Sequence, residues 1–172
     1  TLLAGGSLTG GPVRLALAGA GAFGIKHLEG LARIAGARVV TLVGRDPAST
    51  SEVANRFGIP RIDSSLEDCL VRRDVDAVIL CTPTPLHGKQ AVACLRAGKH
   101  VQVEIPLADS LAGVTEIARV QRESGLVAMG GHTRRFNAGH RWIHRKVEEG
   151  AFKLQHMDVQ TFFFRRSNVN AL

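Results

Sequence analysis

Three glycines, Gly19, Gly21 and Gly24, stand directly after the apolar run 13–18 and carry the first chemistry in the chain. Between a strand and a helix, each glycine at this spacing serves a different need. The first permits a tight turn, the second lets backbone approach a pyrophosphate with no Cβ in the way, and the third lets the helix pack close to the strand. A helix beginning near Phe23 would present unpaired N–H groups and its positive dipole end to the phosphates. Gly19, Gly21, Ala22, Phe23 and Gly24 are therefore candidate dinucleotide-binding residues. The surroundings agree: Ile25, Leu28, Leu31, Ala32 and Ala35 recur at helical spacing, and a second apolar run, 37–43, follows Gly36.

The end of that second run distinguishes the two nicotinamide dinucleotides. An acid there accepts hydrogen bonds from a free ribose 2′-hydroxyl and repels a 2′-phosphate. The chain has Gly44-Arg45-Asp46. Gly44 takes the usual acid position, and Arg45 offers a planar fork to a phosphate. NADP is thus expected over NAD. The alternative makes Asp46 the ribose acid and Arg45 a solvated charge.

Further along, the β-branched run 75–80 breaks at Cys81-Thr82-Pro83-Thr84-Pro85. In open parallel sheets ligands bind at the carboxyl ends of strands, so Thr82 and Pro83 are expected to border the nicotinamide half, the alternative being a plain turn. His132 follows a strand-like run and two glycines, and is the first candidate for a proton acceptor among seven histidines. A structural role is its alternative. His87 and His100 are expected to hold loops or helix ends.

These residues need elements to position them. The pattern is α/β: a Rossmann-type doubly wound parallel sheet, followed by the first strand of a truncated second α+β domain. Pro47 starts a helix over 47–57 that Gly58 ends, and a short strand over 59–62 follows. Ser64 opens a capping pattern with Glu67, after which Leu66, Leu70 and Val71 face inward. A helix over 86–97 closed by Gly98 leads to a strand over 100–103. Then come a helix over 110–124, a strand over 126–129, a loop over 130–137 and a helix over 138–149. A long strand over 154–166 is expected to turn Met157, Val159 and Phe163 to one face and His156, Asp158 and Gln160 to the other. The domains are read as 13–150, dinucleotide-binding, and 151–172, the start of a substrate or oligomerisation domain.

Composition suits this picture. A chain of 172 residues, 45% hydrophobic and 22% charged, buries a core for one domain with a little left over. No apolar run approaches the roughly 20 residues that span a bilayer, and the opening TLLAGGSLTGGP lacks a secretory pattern, so a cytoplasmic setting is expected. Cys69, Cys81 and Cys94 have no paired-ligand spacing, so neither disulfides nor a metal site is expected. The +7 net charge is scattered over helical patterns, with arginine pairs at Arg72-Arg73, Arg134-Arg135 and Arg165-Arg166. Nucleic acid is therefore not an expected partner. The first residue is Thr1 and the last pattern stops at Leu172, so the chain reads as a fragment truncated at both ends.

Taken together, Gly19-Ala-Gly21-Ala-Phe-Gly24, Cys81-Thr82-Pro83-Thr84 with His87, and Ala97-Gly98-Lys99-His100-Val101 running into Glu104-Ile105-Pro106-Leu107 resemble the Gfo/Idh/MocA oxidoreductases along nearly the whole chain. The resemblance implies a Rossmann domain, a following open-faced sheet, and NAD- or NADP-dependent oxidation or reduction of hydroxyl and carbonyl groups, often of sugars. It adds Glu104 to the cofactor-binding candidates. Ile105 departs from the pattern, because the family usually has a lysine there near the reacting hydroxyl, and isoleucine transfers no proton. The segments 101–110, 131–137 and 157–166 resemble a branch that uses NADP to oxidise the cyclic hemiacetal of a dicarboxylated semialdehyde from aromatic ring cleavage. That resemblance implies a small dicarboxylate substrate clamped by Arg134, Arg135, Arg165 and Arg166, with at most one of the last pair in contact. It further implies a homo-oligomer when full length, and a catalytic aspartate or histidine beyond Leu172. The competing functions are a sugar or polyol dehydrogenase and a non-catalytic NAD(P)-binding module.

Overall fold

The computed structural model describes residues 11–160. Its contacts divide into two compact units, one ending at His132 and the other beginning at Thr133. In the first unit six parallel strands stand in the order β3-β2-β1-β4-β5-β6. They are β1 (Val13–Ala18), β2 (Ala37–Val43), β3 (Ile62–Asp63), β4 (Ala77–Leu80), β5 (His100–Val103) and β6 (Ala128–Gly130). The helices between them are α1 (Ala22–Leu31), α2 (Pro47–Arg56), α3 (Leu66–Leu70), α4 (Thr84–Arg96) and α5 (Leu111–Ser124). This is the expected doubly wound sheet, and the strand order reverses between β1 and β4, where a crevice opens at the carboxyl ends.

Side-chain alternation along β1 explains the two layers. Leu15 and Leu17 join Leu28 of α1, Leu42 of β2 and Ala54 of α2 on one face. Ala16 and Ala18 join Leu66 and Leu70 of α3, Ala91 and Leu95 of α4, and Ile117 of α5 on the other. Leu17, Leu42 and Leu80 are fully buried, each contributing about 1.5–3 kcal/mol relative to exposure. The amino edge of the sheet is tied by charge: Asp76 accepts from the Arg14 backbone N at 2.9 Å and from its Nη2 at 2.6 Å. Nearby, buried Lys99 Nζ donates to the carbonyls of Arg72 and Val75 at 2.6 and 2.8 Å. No helix among the described residues is long and apolar enough to cross a membrane.

Several local expectations shift. Helix α1 stops at Leu31, so Ala32 and Ala35 are exposed instead of inward. Strand β3 begins at Ile62, because Ile59 is spent on the core beneath β2. The cap of α3 is Ser65, accepting from Asp68 N at 3.1 Å, one residue later than the Ser64 pattern. Val71 is then the C-cap and 84% exposed. Helix α4 starts at Thr84, two residues early, since Pro85 suits a first turn.

The second unit contains a short 3-10 turn (Thr133–Phe136) and α6 (Ala138–Glu148). Asn137 caps α6, its Oδ1 accepting from Gly139 N at 3.0 Å and His140 N at 3.3 Å. Residues 154–160 are not a strand, which corrects the expected alternation of Met157 and Val159 against His156, Asp158 and Gln160. A strand needs a neighbour for its backbone, and the described residues offer none there. Phe163, Arg165 and Arg166 lie outside the described residues.

Burial also sets the cysteines' chemistry. It pushes the Cys69 thiol up to about 11 and those of Cys81 and Cys94 up to about 12, with the Glu104 charge adding to the shift at Cys81. Cys69 and Cys94, both buried, should resist a thiol-specific disulfide reagent at neutral pH in the folded protein and react in denaturant; rapid native labelling of either would contradict this burial.

Candidate functional site

The switch point is built from glycine. Gly19 has φ +105°, a conformation open to glycine, and a Cβ there would collide with the Cys81 carbonyl. A Cβ on Gly24 would collide with the Gly19 carbonyl, so this position brings α1 down onto the turn. Gly21 differs from both. Its φ of −76° and ψ of −172° suit any residue, and a Cβ there would meet nothing within 4 Å. Protein packing does not require glycine at this point, whereas a pyrophosphate lying on the backbone does.

The helix ends support the same use. Side chains cap α2, α3 and α5 through Asp46, Ser65 and Ser110, while α1 and α4 have none. These two uncapped helices follow β1 and β4, the strands at the switch point. Their first-turn N–H groups are left to water or to an anion. Ala22 and Phe23 open α1, and the Phe23 side chain is 70% exposed.

A cavity of about 770 Å³ runs along this edge, lined by Gly19, Gly21, Gly44, Arg45, Thr82 and Pro83 among others. At the β2 end, a Cβ on Gly44 would collide with Thr50 Oγ1, which donates to the Asp46 carbonyl at 2.6 Å. The Asp46 carboxylate caps α2, accepting from Ser49 N at 3.1 Å, and hydrogen bonding from the Ser49 hydroxyl and then its backbone N–H holds it below the usual aspartate range. Asp46 therefore already has a backbone partner, while Arg45 is exposed beside the cavity. At the β4 end, Thr82 Oγ1 donates to Gln90 Oε1. His87 is buried, with Nε2 2.6 Å from the Thr82 carbonyl and Nδ1 2.7 Å from that of Pro106. It holds two loops, as expected, and His100 Nδ1 accepts from Val127 N at 3.0 Å.

Glu104 closes β5. His27 Nε2–H of α1 donates to its Oε1 at 2.7 Å, and the two side chains are 19% and 12% exposed. The glycines before His132 make room here: a Cβ on Gly131 would stand 2.7 Å from Glu104 Oε1, and one on Gly130 would stand 3.1 Å from the His132 ring. His132 itself is exposed. The sequence pattern missed His27, Gln90 and Thr50; the available signal at His27 was a polar residue three positions after Gly24, on the face that α1 turns to the sheet. Arg134 and Arg135 belong to the second unit. They line an open groove of about 1180 Å³ with His140, Arg141, Trp142 and Arg145.

Residues 13–132 match the Gfo/Idh/MocA oxidoreductase family, NAD-binding Rossmann fold, and residues 138–172 match the carboxyl-terminal region of bacterial oxidoreductases. The chain belongs to the Gfo/Idh/MocA oxidoreductase family. It is 55% identical over 159 residues to 4-carboxy-2-hydroxymuconate-6-semialdehyde dehydrogenase of Sphingobium sp., covering 92% of this chain and 50% of that protein. It is 33% identical over 144 residues to inositol 2-dehydrogenase of Mycolicibacterium smegmatis, covering 81% and 41%. Among solved structures, scyllo-inositol dehydrogenase of Lactobacillus casei with bound NAD(H) and scyllo-inositol superimposes with TM-score 0.78 at 25% identity, covering 81% of this chain and 42% of that one. The chain spans about half the length, or less, of the curated relatives it matches.

The glycine geometry separates binding from folding. Gly21→Ala should leave the melting midpoint within about 1 °C of the parent and weaken dinucleotide affinity by about tenfold or more. Gly24→Ala should lower the midpoint by several degrees, roughly 1–3 kcal/mol of overpacking. Thermal denaturation beside a fluorescence titration with NADPH checks both.

Proposed function

We propose that this chain is the cofactor-binding part of an NADP-dependent dehydrogenase that oxidises 4-carboxy-2-hydroxymuconate-6-semialdehyde, as its cyclic hemiacetal, to 2-pyrone-4,6-dicarboxylate. The observation that carries this reading is the 55% identity to the Sphingobium dehydrogenase. NADP is favoured over NAD because Gly44 places no acid where a ribose acid would stand, Asp46 is engaged as a helix cap, and Arg45 is exposed beside the cavity. The uncapped first turn of α1 would hold the pyrophosphate, with Thr82, Pro83 and Glu104 toward the nicotinamide. A bound NADP supplies the hydride acceptor.

The remaining work falls to side chains. A hemiacetal carbon gives up hydride with help from its ring oxygen, and its hydroxyl is more acidic than that of a sugar. Such a substrate therefore needs a less specialised base than a lysine, which fits isoleucine at position 105. His132 is proposed as the group that takes the hydroxyl proton. Arg134 and Arg135, on a groove rich in cations, are proposed to bind the substrate carboxylates through charge-assisted hydrogen bonds; at most one of Arg165 and Arg166 is proposed to join them.

The full-length protein, mixed with ring-cleaved protocatechuate, should generate the absorbance of reduced nicotinamide faster with NADP than with NAD, and should be idle with inositols and other sugars. Sugar turnover without semialdehyde turnover would overturn the substrate. Arg134→Ala and Arg135→Ala should each raise KM for the dicarboxylate by about tenfold to a hundredfold, the worth of a hydrogen bond to a charged group. An unchanged KM in both would remove them from the site.

A further inference from the structure

The His27–Glu104 pair is not explained by the phosphate cradle or by packing of the sheet. Glu104 is mostly buried, yet among the described residues only one of its oxygens has a donor, His27 Nε2 at 2.7 Å. Among the described residues, the only enclosed side-chain polar atom without a partner is His140 Nδ1, so the second Glu104 oxygen is not sealed in protein. An ionised carboxylate has room for about four hydrogen bonds, and this one has a single donor among the described residues. The carboxylate lies close enough to Cys81 to raise its thiol, and Cys81 lines the cavity. Gly131 packs against the His27-bound oxygen, where a Cβ would stand 2.7 Å from Oε1, so the carboxylate is held from that side by backbone.

We infer that His27 is a positioning residue that fixes Glu104 so that its free oxygen accepts an N–H from the primary carboxamide at the reactive end of the bound dinucleotide. The inference rests on the cofactor reading above. Glutamate has three rotatable bonds, and an unanchored carboxylate at a strand end would sample several directions. His27 removes that freedom from a rigid helix. It stands one turn beyond Gly24 on α1, so a single helix would set both the pyrophosphate at its first turn and the acceptor for the carboxamide. The ribose end of the crevice is marked by Gly44 and Arg45, which leaves the Cys81–Glu104 end to the nicotinamide. The rival donor there is a substrate hydroxyl.

The test uses the full-length protein, its His27→Leu and His27→Gln variants, and two probes: NADPH and its reduced 3-acetylpyridine analogue, whose methyl ketone has no N–H. The wild type should prefer NADPH by about tenfold, the worth of one hydrogen bond to a charged acceptor. His27→Leu should lose that preference while keeping its melting midpoint, and His27→Gln, which restores an N–H donor of similar reach, should recover most of it. Equal preference in the wild type and His27→Leu would overturn the inference. If turnover then fell in His27→Leu, the free oxygen would belong to the substrate hydroxyl. Equal loss of affinity for both probes in Leu and Gln variants would reduce His27 to a structural role. Binding alone is read, so the result stands whichever substrate the enzyme takes, and failure of the wild type to bind either probe would strike the cofactor reading itself.

Discussion

The first unit depends on three backbone segments approaching one another with no side chain between them. Gly19 turns under the end of β4 against Cys81, and Gly24 lets α1 settle on the Gly19 carbonyl. Both contacts lie at the point where strand order reverses. They fix the angle of α1 over the sheet, and that angle places Leu28 in the core under β1 and β2. The same angle puts the uncapped first turn at the crevice and brings His27 to Glu104. Phosphate cradle, core and polar pair are therefore set together.

The two edges of the sheet are finished differently. Its amino edge satisfies charge internally, with Arg14 on Asp76 and Lys99 on two carbonyls. Among the described residues, the carboxyl edge leaves helix N–H groups and one Glu104 oxygen without side-chain partners. Buried polar groups without partners are costly, and the first turns of α1 and α4 border a surface cavity where solvent or a ligand reaches them.

Much of this was legible in residue order. The bounds of β2 and β5 follow from apolar runs and turn signals, as does the glycine turn. Misplaced elements share a cause: adjacent residues compete for one local role. Ser64 and Ser65 both suit a cap, and tertiary packing of Leu66 and Leu70 selects Ser65. Ile59 and Ile62 both suit a strand, and the core takes Ile59. The His27–Glu104 pair joins residues 77 positions apart, which no local pattern records. Alternation over 154–160 predicts a strand, but alternation describes only faces; backbone partners decide whether a strand exists.

Thr50 fills the space that a side chain at position 44 would take, and its hydroxyl is tied to the Asp46 carbonyl. The glycine at the end of β2 is thus locked by a neighbour one helical turn away, independent of any ligand. A descendant acquiring an acid at position 44 would first have to shrink residue 50, loosening the start of α2 before any new ribose contact existed. Changes of dinucleotide preference along this lineage are therefore order-dependent: the permissive step precedes the functional one.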